Sequence, residues 1–162
     1  MKKLITCVLS AALAMGLVAC GGSSSSAPKE YNLETVVNTI AEANAVANSR
    51  SIDDFSIEND FMLNSEDIVS YYGIASNDQG NSATILAVQC ATGKASDVKS
   101  ALETYKQNQV AYYGNYAEFA DGQACIEDGR VVDKGDYVVL VFANTEGASY
   151  TDIDKAVSAA LD

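Results

Sequence analysis

Histidine and tryptophan are absent from all 162 residues. Without imidazole, neither a Ser-His-Asp nor a Cys-His triad can be assembled, and the usual imidazole-dependent catalytic zinc sites are excluded with them. Positive charge is scarce as well, with 10 Lys and Arg against 22 Asp and Glu and a formal charge of −12. So acidic a chain repels nucleic acid and anionic lipid surfaces, which sets aside DNA or RNA binding. The simplest reading of the acidity is solubility. No Cys-x-x-Cys pair is present, which argues against a redox site. No acidic stretch has the twelve-position calcium loop with its central glycine and terminal glutamate. Asp133 and Asp136 read instead as turn residues, and Asp152 and Asp154 as first-turn charges favoured by a helix dipole.

What the chain does have begins at its N-terminus. Met1-Lys2-Lys3 precedes an uncharged run from Leu4 to Ala19. A transmembrane helix needs about 20 apolar residues to cross roughly 30 Å of hydrocarbon, and this run is shorter, interrupted by Thr6 and Ser10, and followed by glycine and serine. It reads as a secretory leader over residues 1–19 that is removed. Leu17-Val18-Ala19-Cys20 resembles the lipobox of bacterial lipoproteins, and that resemblance implies a diacylglyceryl group on Cys20. Two acyl chains suffice for stable attachment without a basic patch. Loss of Lys2 and Lys3 leaves 8 basic residues against 22 acidic ones, a formal charge of −14. The expected location is therefore the outer, extracytoplasmic face of the cell membrane.

Residues 20–31 form a Gly/Ser-rich tether, of which the low-complexity stretch Gly21 to Lys29 reaches at most roughly 30 Å from the lipid. The remainder, 32–162, suits a single domain with one core. Leu33, Val36, Val37, Ile40 and Ala47 recur at helical spacing behind Asn32 as N-cap, predicting a helix over 33–48. Residues 48–59 read as an extended polar connection. Asn64 to Asp67 with Ile68, Val69, Tyr71 and Tyr72, stopped by Gly73, predict a short helix.

Residues 74–77 and 84–91 flank the turn Asp78 to Asn81 as a first hairpin. Ser96-Asp97 caps a helix carrying Val98, Ala101, Leu102 and Tyr105 on one face. Tyr112, Tyr113 and Tyr116 follow, an aromatic cluster suited to packing helix and loop on the sheet or, less simply, to stacking a ligand. A second hairpin joins 129–132 to 137–143 through Asp133-Lys134-Gly135-Asp136. Tyr137 to Phe142 is apolar throughout, as a central strand would be. Ser149 or Thr151 opens a last helix with Ile153, Val157, Ala160 and Leu161 on one face.

The expected fold is thus α+β: an antiparallel sheet of about four strands in two β-hairpins, helices packed mainly on one face, in the order α-(α)-ββ-α-ββ-α. From Ile52 to the end, the acidic entry segment, Tyr71-Tyr72-Gly73-Ile74, the strand Ile85 to Ala91 leading to Asp97-Val98 and Leu102, Gln107 and Gln109 with Tyr116, and Gly135 to Val141 resemble the family called domain of unknown function 4358. That family occurs in lipoproteins of Gram-positive, clostridia-like bacteria. The resemblance implies an extracytoplasmic lipoprotein, transfers no functional residue, and leaves Gly122 to Ile126 without an assigned element.

Two cysteines, Cys90 and Cys125, remain in the domain, and two readings of them stay open. Outside the cytoplasm they can pair, and closing that loop would contribute roughly 3 to 4 kcal/mol in the chain-entropy model. Otherwise they are two small buried thiols. No catalytic, cofactor-binding or metal-binding residue stands out, and no cofactor is implied. The leading expectation is a non-enzymatic binding module serving an envelope protein, peptide or small ligand. The alternatives are a carboxylate-dependent cell-wall hydrolase and a passive surface domain.

Overall fold

The computed structural model describes residues 29–162. The leader expected at 1–19, the lipidation expected at Cys20 and most of the expected tether lie outside the described residues. Tyr31, at the tether's end, is already docked on the domain. Its hydroxyl donates to the Leu161 carbonyl at 2.6 Å, and its ring meets Tyr137 edge-on at 5.0 Å.

The described chain runs α1 (Leu33–Ala41), β1 (Ser49–Ser51), α2 (Asp54–Asn59), β2 (Ile68–Ser76), β3 (Thr84–Cys90), α3 (Ala95–Tyr113), α4 (Ala120–Glu127), β4 (Arg130–Lys134), β5 (Tyr137–Phe142) and α5 (Tyr150–Ala160). The class is α+β, with a five-stranded antiparallel sheet in the order β1-β2-β3-β5-β4. Both hairpins form, and Gly135 takes the positive φ of +60° that the turn between β4 and β5 requires. Asn32 caps α1 as its position predicts, accepting from the Thr35 amide at 2.9 Å.

The helices lie on both faces of the sheet rather than mainly on one. The central strands dictate this, because successive side chains of a strand point to opposite faces and here both sets are apolar. Ile85, Ala87, Val139 and Val141 pack with Val36, Val37 and Ile40 of α1 and Ile153 and Val157 of α5. Leu86, Val88, Val138 and Leu140 pack on the other side with Val98 and Leu102 of α3 and Ile126 of α4. Each of these valine, leucine and isoleucine side chains withdrawn from water stabilises the fold by about 1.5 to 3 kcal/mol.

Three local expectations are corrected. Ile68 to Tyr72 belongs to β2, not to a helix, because Tyr71 packs toward the α3 side while Tyr72 packs toward the α1 side. Gly73 does not stop a helix there; a Cβ on it would stand 2.7 Å from Ile52 Cδ1, so its bareness lets β1 pass close. Residues 48–59 are not a plain extended connection, since Asp53 caps α2 through the Ser56 amide at 2.9 Å and Ile57 is buried. Finally, α1 ends at Ala41, short of residue 48, because Asn44 turns inward. Its fully buried side chain donates to the Phe142 carbonyl at 2.9 Å and accepts from the Asn144 amide at 2.8 Å.

The unassigned stretch from Gly122 to Ile126 lies within α4. Glycine inside a helix is ordinarily unfavourable by about 1 kcal/mol relative to alanine. Here a Cβ would come within 2.6 Å of the Gly80 carbonyl and 2.7 Å of the Tyr113 ring, so only glycine lets α4 lie against the first hairpin's turn.

Candidate functional site

α3 packs over β4 and β5, and the space between its C-terminal half and the β1–β2 end of the sheet forms a cleft of about 620 Å³. That is a size ordinary for small-molecule sites. Its lining comes from separate parts of the chain. β1 contributes Arg50, the end of α2 contributes Asn59 and Asp60, β2 contributes Ser76, and the first hairpin contributes Asn81, Ser82 and Thr84. α3 adds Tyr105, Gln109, Tyr112 and Tyr113 over a floor that includes Phe61, Ile126 and Phe142.

Local structure explains why these side chains converge. Arg50 stands opposite Ala75 in the β1–β2 ladder, and Ala75 packs in the α3-side core, so both side chains project from that face. Tyr105, Gln109 and Tyr112 recur at i, i+4 and i+7 and so share one stripe of α3. Tyr105 anchors the stripe, with its ring centroid 4.5 Å from Phe61 and 6.0 Å from Phe142. Beyond it Tyr112, Tyr113, Tyr116 and Phe119 form a chain of rings at 5.3 to 5.8 Å. The aromatic run therefore divides: Tyr105 is partly buried against the core at the cleft's inner wall, whereas Tyr112 stands at its border with 53% of its surface exposed.

Part of the polar lining is already engaged. Ser82 donates to the Ala143 carbonyl at 3.1 Å, Thr84 to the Ser82 carbonyl at 3.0 Å, and Asn81 to Asn144 at 3.1 Å. The charged members are different. Lys94, Lys99, Arg130, Lys134 and Lys155 each lie within ion-pair distance of an aspartate. Among the described residues neither Arg50 nor Asp60 takes part in an ion pair, and Arg50 reaches only the Ser56 hydroxyl, at 3.3 Å. Burial holds the Tyr105 phenol far above its ordinary pKa, with Asp60 adding to the shift and Arg50 opposing it, so both charges act on the cleft's floor.

The two cysteines do not pair. Cys90 and Cys125 are free thiols at opposite ends of the sheet. Cys90 closes β3, its amide bonded to the Asp136 carbonyl at 2.7 Å, whereas Cys125 meets the Asn144 carbonyl at 3.8 Å, beyond the end of β5. The length of β3 alone separates those ends by about 20 Å at roughly 3.3 Å per residue, and a disulfide needs Cα atoms within about 7 Å. Burial, then the charges of Asp136 and Asp67, pushes the Cys90 thiol up to about 11, and burial also raises Cys125. Both are poor nucleophiles at neutral pH.

None of the acidic residues singled out in the sequence lines the cleft. Asp133 pairs with Lys99, whose hydrogen bond lowers its pKa, while Asp152 pairs with Lys155 and Asp154 with Arg130. Among the described residues no group of three or more carboxylate or thiol side chains is placed to hold a metal ion. No described helix is long and apolar enough to cross a membrane.

Sequence reasoning flagged Tyr112 and Tyr113 but not Arg50 or Asp60. Neither carries a local signal, because each is ordinary in its own segment and gains meaning only from the strand pairing and helix end that bring it to the cleft.

A family model described as a domain of unknown function, DUF4358, matches residues 41–143. The chain belongs to this family. The DUF4358 match spans β1 to β5 and takes in every residue named above as lining the cleft, whereas nearly all of α1 and the whole of α5 fall outside it. The matched region thus contains the sheet and the cleft face, and most of the helical cover of the opposite face lies outside it. No curated protein and no solved structure matches the chain.

Proposed function

We propose that this DUF4358 protein is a lipid-anchored, extracytoplasmic binding module that offers its cleft to a small polar ligand in the envelope space and performs no chemistry on it. The leader, the Leu17-Val18-Ala19-Cys20 motif and the Gly/Ser tether support export, lipidation at Cys20 and a reach of roughly 30 Å from the membrane. The observation that carries the binding reading is the cleft itself: about 620 Å³, bordered by an exposed tyrosine, amides and two charges that no ion pair occupies. Concave sites with a few convergent polar groups are the usual form of a small-molecule site.

Carboxylate-dependent hydrolysis is the weaker reading. It requires two carboxyl groups about 5 to 9.5 Å apart across the scissile bond. Asp60 is the single carboxylate among the cleft's lining residues.

Two measurements test the proposal. Cys20→Ser should move the protein from the membrane fraction to the soluble exported fraction; unchanged membrane association refutes the anchor. Native mass spectrometry of the protein incubated with a small-molecule extract of the envelope should detect a bound species that Tyr112→Ala and Gln109→Ala remove. A bound species that is instead released chemically altered would make the protein an enzyme.

A further inference from the structure

Arg50 is the cation that borders the cleft. Five of the eight described cations pair with an aspartate and Lys29 and Lys106 bond backbone carbonyls, whereas the Arg50 guanidinium bonds only the Ser56 hydroxyl, with Asp53 attracting it at longer range. An arginine fork is shaped for two parallel bonds to a carboxylate. The same cleft also carries Asp60, beyond ion-pair distance from Arg50 and itself unpaired among the described residues. A purely anionic ligand would gain from Arg50 and be repelled by Asp60, and a purely cationic one would meet the reverse. A ligand carrying both charges satisfies both residues at once.

We propose that the cleft selects a small zwitterion, an amino acid or short peptide with free termini, whose carboxylate is held by Arg50 and whose ammonium is held by Asp60. The proposal rests on the binding reading above and names its ligand class. Tyr112, half exposed at the rim, supplies a ring face against the ligand's body, and the Gln109 amide, one turn away on α3, can bond a peptide group. The volume of about 620 Å³ accommodates such a ligand without rearrangement of the sheet.

Calorimetric titration of the protein tests this with four forms of one probe, dialanine: the free zwitterion, the N-acetylated acid, the C-terminal amide, and the doubly blocked neutral form. A neutral N-acetylglucosamine trimer serves as a comparison outside the class. The zwitterion should bind about tenfold or more tightly than either singly blocked form, since each lost charge removes one charge-assisted contact. Arg50→Gln should abolish the advantage of a free carboxylate while keeping that of a free amine, and Asp60→Asn should do the converse. Both substitutions are on exposed side chains, and an unchanged thermal midpoint verifies folding. Equal binding of all four forms, or binding of the sugar alone with loss in Tyr112→Ala, overturns the zwitterion while leaving a binding cleft. Absence of heat with every probe, together with no bound species from envelope extract, overturns both.

Discussion

The two faces of the sheet differ in how they are closed. On the face of Ile85, Ala87, Val139 and Val141, α1 and α5 pack together and on the sheet, and the contact is apolar. On the face of Leu86, Val88, Val138 and Leu140, α3 and α4 cover the β5–β4 side, and the β1–β2 end opens into the polar cleft. The same alternating strands serve both faces, so the difference lies in where the helices sit. The closed face is core throughout, and the other divides its residues between core and the lining of the cleft. That the DUF4358 match contains the cleft face and omits most of the closed face's helices agrees with this division.

The strongest challenge to the comparison is core truncation on each side. Ile40→Ala on the closed face and Leu102→Ala under α3 both remove fully buried side chains, and each should lower unfolding free energy by about 2 to 5 kcal/mol in urea titrations. A much smaller loss for Leu102 would mean that the cleft face is poorly packed throughout rather than open at one end only. Gly122→Ala comes next. Despite alanine's higher helix propensity it should destabilise by about 1 to 3 kcal/mol, because the new methyl collides with the Gly80 carbonyl and the Tyr113 ring at the cleft's edge. A stabilised variant would contradict the close approach of α4.

Helix caps sharpen the comparison further. Asn32→Ala, at the start of α1, should cost about 1 kcal/mol at any pH, read as a shift in the urea midpoint. Asp53, which caps α2 beside the cleft, has its pKa held below the ordinary 3.8 by the Ser56 amide and hydroxyl. A depressed folded-state pKa stabilises above the unfolded value and is lost as pH falls through the folded one. Asp53→Asn should therefore flatten the acid limb of the stability curve below about pH 4 and leave neutral stability little changed. The smallest effect belongs to the cleft's rim: Tyr112→Ala and Gln109→Ala should each alter stability by no more than about 0.5 kcal/mol. A loss at Tyr112 as large as at Leu102 would make the aromatic rim a structural seam.

The fold was legible where local rules and tertiary demands agree. The Asn32 cap, the turn at Gly135, the helical stripe through Val98 and Leu102 and the apolar run Tyr137 to Phe142 all mean the same thing alone and in the structure. Failures came where one pattern fits two elements. Ile68, Val69, Tyr71 and Tyr72 have helical spacing, yet their β-branched and aromatic character suits a strand covered on both faces, and Tyr71 and Tyr72 indeed go to opposite cores. Asn44 ends α1 through partners 98 and 100 residues away, which no local pattern announces. The cysteines were ambiguous for the same reason, since pairing depends on which ends of the sheet they occupy. The cleft was the least legible feature, because β1, itself unanticipated, must exist before Arg50 can reach it.

Backbone-amide NMR of the labelled protein, titrated with a library of small polar compounds, decides whether the cleft face is the binding face proposed above. Shifts should saturate and concentrate at Arg50, Asp60, Gln109 and Tyr112, with α1 and α5 silent. Shifts centred on α1 and α5, or none anywhere with any compound, would contradict it.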